Sequence, residues 1–134
     1  MFLPIKSDNG AVLPWEYMPA EAGTYVAGQL LAVDATTGHL EPIAADLVTT
    51  PPYLCMADIK VETAGTPIPV TRVSKDYIYE TTLAEEAAGA VVGTKLQVEA
   101  GGLLASKPAS GSGTFEVVSL DGTAAGDAVR GRWL

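Results

Sequence analysis

The 134-residue chain carries eight Lys and Arg against sixteen Asp and Glu, a formal net charge of −8. The basic residues, Lys6, Lys60, Arg72, Lys75, Lys95, Lys107, Arg130 and Arg132, form no cluster; nucleic-acid binding, which needs grouped cations to neutralise phosphates, is not expected. The one cysteine, Cys55, leaves no internal disulfide, and no apolar run approaches the ~18 residues of a membrane span.

The length suits one domain, which would bury about two-thirds of the surface its unfolded chain exposes. Apolar residues reach 48% and charged ones only 18%, against about 25% charged in ordinary soluble domains. Some apolar surface is therefore expected to serve partners. With no basic lead and apolar core at the N-terminus, the expectation is a protein made in a cytoplasm.

In chain order, MFLPI puts Met1, Phe2, Leu3 and Ile5 where chains usually fray. Residues 1–20 are read as an extended N-terminal arm that adds a strand to a neighbour's sheet, or alternatively as a first strand of the chain's own sheet. Removing residues 1–9 is expected to abolish partner binding and spare the fold. Residues 21–134 are read as a single β-rich domain. Candidate strands lie at 24–33, 39–43, 53–59, 67–73, 76–83, 94–99, 113–120 and 128–134, between Gly, Pro, Asp and Thr punctuation. In KLQVE, period-2 alternation turns Leu96 and Val98 inward and Lys95, Gln97 and Glu99 outward; in VRGRW it turns Val129 and Trp133 inward and Arg130 and Arg132 outward. The stretch TLAEEAAGA (82–90) predicts one short helix, capped by Thr82 and Glu85 and stopped at Gly89. SKPASGSGTF reads as a flexible connector.

The skeleton of 21–40 recurs in 86–104. Val26, Gly28, Leu31 and Val33 reappear 65 residues later as Val91, Gly93, Leu96 and Val98, and one deletion brings Gly38 and Leu40 onto Gly102 and Leu104. Each copy reads as a β-hairpin with one apolar side that it cannot bury alone. Similar hairpins arise either by duplication or by convergence.

Catalytic chemistry is thin, and an enzyme is not expected. His39, the sole histidine, stands beside the turn glycine Gly38 and reads as solvated. Cys55 lies in the apolar run YLCMA and reads as a buried thiol. Glu85 and Glu86 are adjacent and diverge, unlike hydrolytic carboxylates. DGTAAGD lacks the alternate ligands of a calcium loop, and GxSxG, HExxH and CxxC are missing. Neither a metal nor a cofactor is expected. A biotinyl or lipoyl carrier domain also has paired hairpins, but Lys60 and Lys95 fall mid-strand rather than at a turn.

The segment AGTYVAGQLLAVDATTGHLEPI, followed by PPYLCMADIKVETAGTPIPVTRV, resembles the head decoration, or capsid cement, proteins of tailed bacteriophages. The likeness covers about 22–73 well and the rest loosely, and Gly and small apolar residues carry it. It implies a small β-sandwich or barrel-like domain of β-tulip type, a homotrimer, that binds the major capsid protein on the outer surface of an expanded shell. Another virion β-domain, such as a tail or fibre-base component, is the alternative. Candidate capsid or subunit contacts are Met1, Phe2, Leu3, Ile5, Trp15, Arg130, Arg132 and Trp133; the tryptophans are credited as interface anchors and the arginines as partners for acidic groups.

Overall fold

In a computed structural model, which describes residues 1–10 and 12–134, the chain is mainly β. Five strands form a closed barrel: β2 (Glu16–Ala20), β4 (Leu30–Val33), β5 (Leu40–Pro42), β6 (Tyr53–Cys55) and β8 (Thr66–Arg72), in the order β2-β5-β4-β6-β8. A two-stranded ribbon, β3 (Gly23–Tyr25) with β7 (Ile59–Val61), accompanies it. A second sheet holds β1 (Leu3–Ser7), β9 (Tyr77–Thr82), β10 (Lys95–Val98), β11 (Ala105–Ser106), β12 (Phe115–Leu120) and β13 (Ala128–Trp133), in the order β1-β9-β13-β12-β10-β11.

Apart from β1, the second sheet repeats the barrel strand for strand. The hairpin pairs Val33↔Leu40 and Ala32↔Glu41 recur as Val98↔Ala105 and Gln97↔Ser106. Next to them, Leu30↔Leu54 and Leu31↔Tyr53 recur as Lys95↔Glu116 and Leu96↔Phe115. Tyr53↔Arg72 and Cys55↔Val70 recur as Phe115↔Trp133 and Val117↔Gly131. Glu16↔Val70 and Met18↔Ile68 recur as Tyr79↔Gly131 and Thr81↔Val129. Even the parallel closure Ala20↔Leu40 has its counterpart in the bridge Leu83↔Ala105, which joins β9 to the sheet's far end. The repetition anticipated for one hairpin therefore spans a whole five-stranded unit.

The turn entering each copy explains the recurrent glycine. Gln29 N–H donates to the Val26 carbonyl at 3.1 Å, and Thr94 N–H to the Val91 carbonyl at 3.0 Å. The Gln29 and Thr94 side-chain oxygens return a bond from Val26 N–H and Val91 N–H, at 3.2 and 2.9 Å. Gly28 and Gly93 take φ of 84° and 92° there, a region that costs a residue with a Cβ roughly 1–2 kcal/mol. Both glycine amides reach the neighbouring strand, donating to the Cys55 and Val117 carbonyls at 2.8 Å.

The hairpin register also corrects the alignment of the two copies. Asp34 N–H bonds to the His39 carbonyl and Glu99 N–H to the Leu104 carbonyl, each at 2.9 Å. His39 thus matches Leu104, and Leu40 matches Ala105. No residue is deleted in the loop.

The interior of the first barrel collects Ala20, Tyr25, Leu31, Leu40, Tyr53, Cys55, Ile68 and Val70. Their counterparts Leu83, Ala90, Leu96, Ala105, Phe115, Val117 and Val129 belong to the second core, while Gly131 takes the place that Val70 has in the first unit and leaves room for the Phe115 ring. The units meet head to tail. Leu30 and Leu54, a cross-strand pair on the first barrel's outside, are buried in the second core, whereas the matching pair Lys95 and Glu116 is more open to solvent. Backbone bonds run from Leu30 N–H to the Gly102 carbonyl at 2.8 Å and from Gly101 N–H to the Ile43 carbonyl at 2.6 Å, and an isolated bridge joins Leu47 to Val98.

Several sequence expectations are corrected. The short helix at 82–90 does not form, and no helix occurs among the described residues. Leu83 and Ala84 N–H bond to the Asp127 and Ala105 carbonyls, and Ala87 N–H to the Thr123 carbonyl. These long-range partners outcompete a helix too short to be stable alone. Nor do Leu3–Ser7 and Glu16–Ala20 belong to an extended arm: β1 pairs antiparallel with β9, and β2 belongs to the barrel. The expected strand 24–33 is two strands parted by the Gly28 turn, and 53–59 is broken after Cys55. Gln97, expected outward, is 8% exposed and bonds to Ser106 Oγ at 3.0 Å and Asp46 Oδ2 at 3.4 Å. It faces the junction of the units, so a polar side chain finds polar partners there.

Candidate interaction surface

The eight residues singled out from the sequence do not gather at one place. Phe2 is fully buried: its ring meets Phe115 edge-on at 5.5 Å and Trp133 at 5.9 Å, and Phe115 and Trp133 are 4.8 Å apart. These three rings pack together within the core of the second unit. Phe2 and Trp133 are therefore core residues and leave any surface set, because alternation along β13 and the docking of β1 carry both inward.

Arg130 is bound within its own fold. Its Nε lies 2.6 Å from Glu80 Oε2 and its Nη1 3.0 Å from Asp121 Oδ1. The guanidinium holds the Asp121 carboxyl below the usual carboxylate range, first through hydrogen bonding and then through charge. Arg132 pairs with Asp8 at 2.9 Å and ties the end of β1 to β13. Both arginines face outward, as alternation required, but their charges are already answered.

Met1, and Leu3 and Ile5 on β1, the edge strand of the second sheet, are about half exposed. Trp15 is 57% exposed, and Tyr17, which sequence reasoning passed over, is 70% exposed on β2. The spacing in WEYMPA could have identified Tyr17: it alternates with Met18 and Ala20, which turn toward the barrel interior. Contiguous exposed apolar patches, unlike apolar residues scattered singly, mark interaction sites.

In the first unit, the place of Trp133 is taken by Arg72. Its guanidinium lies 5.5 Å from the centre of the Tyr53 ring and its Nε 3.1 Å from Glu16 Oε1. An exposed charged group thus stands in the first unit where the second has a buried aromatic one.

His39, expected to be solvated, is half buried, with Nδ1 3.0 Å from Glu21 Oε1, which also accepts from Thr37 Oγ1 at 2.7 Å. Cys55 is buried inside the first barrel, where desolvation pushes its thiol up. Among the described residues there is no cavity able to hold a small molecule and no group of three or more His, Cys, Asp and Glu placed to share a metal ion. What the structure offers a partner is backbone edge and exposed apolar side chain.

No protein-family model matches the sequence, and no curated protein matches it.

Proposed function

We propose that this chain is a structural protein of a tailed-bacteriophage virion, a head decoration protein made in the bacterial host cytoplasm. It binds the outer surface of the expanded capsid as a homotrimer and cements neighbouring major capsid subunits, each barrel-like unit serving as a β-tulip-type body. The observation that carries the reading is the exposed apolar material on two strand edges: Leu3 and Ile5 on β1, Trp15 and Tyr17 at β2. A free monomer gains nothing from it.

Two further points support the reading. The stretch that resembles decoration proteins, about 22–73, coincides with the body of the first unit. The net charge of −8 suits an outer surface better than one facing packaged DNA.

Cementing then follows from mass action. A bridge that binds the closed arrangement of subunits and not the separated ones stabilises the closed shell. A trimer touching several subunits raises the effective concentration of its later contacts, so each contact can be weak. Cryo-electron microscopy of expanded capsids incubated with the protein tests the proposal. Density bridging subunits on the outer face is expected; a bare shell with the protein on the tail contradicts it.

A further inference from the structure

The two units differ in one respect that their shared plan makes conspicuous. In the second, β1 runs antiparallel along β9, pairing Leu3 with Glu80 and Lys6 with Ile78. Tyr79 and Glu16 occupy equivalent positions, opposite Gly131 and Val70, so Glu80 corresponds to Tyr17 and Ile78 to Trp15. Among the described residues, β2 pairs with β8 on one side and with β5 only at Ala20 on the other. No strand among the described residues pairs with the edge of the first unit that corresponds to the β1 seat.

Two observations agree that this edge presents usable hydrogen-bonding groups. On β8, Pro69 stands opposite Tyr17 and Pro67 opposite Pro19. Proline has no N–H to give, so the bonded pairs of that ladder are Glu16↔Val70, Met18↔Ile68 and Ala20↔Thr66. By strand alternation the N–H and C=O of Trp15 and Tyr17 point the other way. In the second unit, Pro4 stands opposite Tyr79, which makes Glu80 and Ile78 the residues that bond to β1. The counterparts of those two are Tyr17 and Trp15.

We infer that the edge at Trp15–Tyr17 receives an extended segment of a partner protein, added as an antiparallel strand in the way β1 is added to β9. The segment carries the β1 pattern, apolar side chains with a lysine, as in LPIKS. The exposed Trp15 and Tyr17 rings lie beside it on the outer face, and backbone bonds hold it. A second copy of the whole chain fits this edge poorly. Pro14 and Pro19 bracket it and leave room for a short segment only, far below the roughly 1,200 Å² of a stable globular interface. The net charge of −8 attracts a basic segment. The inference does not depend on the capsid reading.

The test uses the full chain and a synthetic peptide with the sequence MFLPIKSDN, read by amide hydrogen exchange in NMR spectra. At saturating peptide, exchange at Trp15 and Tyr17 is expected to slow at least about tenfold, with Ile78 and Glu80 unchanged. The variant Tyr17→Pro removes a donor from the open edge without touching the ladder to β8, and it is expected to lose peptide binding at least about tenfold. A urea melt of the variant reports its folding, and the wild-type exchange map decides the matter alone should the variant not fold. Three results overturn the inference: unprotected Trp15 and Tyr17, protection confined to Ile78 and Glu80, or peptide-free dimers, seen by light scattering, that occupy this edge.

Discussion

Phe2 and Trp133, separated by nearly the full length of the chain, pack with tilted rings whose centroids lie 5.9 Å apart in the core of the second unit. Strand β1 is thereby part of the fold, held by β9 along its length and by Phe2 N–H, which donates to the Gly28 carbonyl at 2.7 Å. Removing residues 1–9, expected from sequence to spare the fold, deletes a core aromatic instead. The substitution Phe2→Ala is expected to lower stability by about 3–5 kcal/mol, read as a fall in the urea midpoint. A midpoint within experimental scatter of wild type contradicts the assignment of Phe2 to the core.

A second prediction separates two glycines that look equivalent in sequence. Gly38 and Gly102 take φ of 73° and 76°. At Gly38 an added Cβ meets nothing, but at Gly102 it would overlap the carbonyl oxygen of Leu30, the residue whose N–H donates to the Gly102 carbonyl across the junction. Gly38→Ala is expected to cost the roughly 1–2 kcal/mol of left-handed backbone. Gly102→Ala is expected to cost distinctly more, and to speed amide exchange at Leu30 and Gly101, which bond across the junction. Equal costs and unchanged exchange contradict this account of how the units join.

Acid provides the third. Backbone N–H groups of Thr37 and Thr36 lower the Asp34 carboxyl, and Arg130 lowers that of Asp121. Carboxylates depressed in the fold contribute stability that is complete above the unfolded value, near 3.9, and is lost as pH falls through the folded values. The urea midpoint is therefore expected to hold from pH 7 to about 5 and to drop below about pH 4. The double variant Asp34→Asn, Asp121→Asn is expected to be less stable at pH 7, with the gap to wild type closing toward about pH 2. A gap that widens in acid contradicts the assignment.

Much of this architecture was legible because period-2 alternation survives wherever one strand face is wet. VRGRW shows it plainly: Val129 and Trp133 point in, Arg130 and Arg132 out. Leu30 and Leu54 were not legible. Both faces of their strands are buried, one inside the barrel and one against the other unit, so the alternation that would reveal them is erased. The helix at 82–90 failed for a related reason, since its local capping signal says nothing of Ala105 or Thr123, which claim its backbone from far away in sequence.

The repeat was visible at Gly28 and Gly93 because a positive φ forces the residue type. It was invisible along β6 and β12, or β8 and β13, where only pairing register is shared. At the candidate surface, Trp15 was found through its residue type. Tyr17 needed knowledge of which side of β2 faces the barrel, and Phe2 needed the position of β9. Chemistry at a chain end is read poorly from sequence, because exposure there depends on what the rest of the fold places beside it.

Co-sedimentation with capsids tests the proposed function most directly: purified protein is mixed with expanded and with unexpanded shells of the tailed phage proposed to encode it, and the pellets are compared. The account predicts saturable capture by expanded shells and little or none by unexpanded ones. Protein that stays in the supernatant with both, or pellets equally with both, contradicts it.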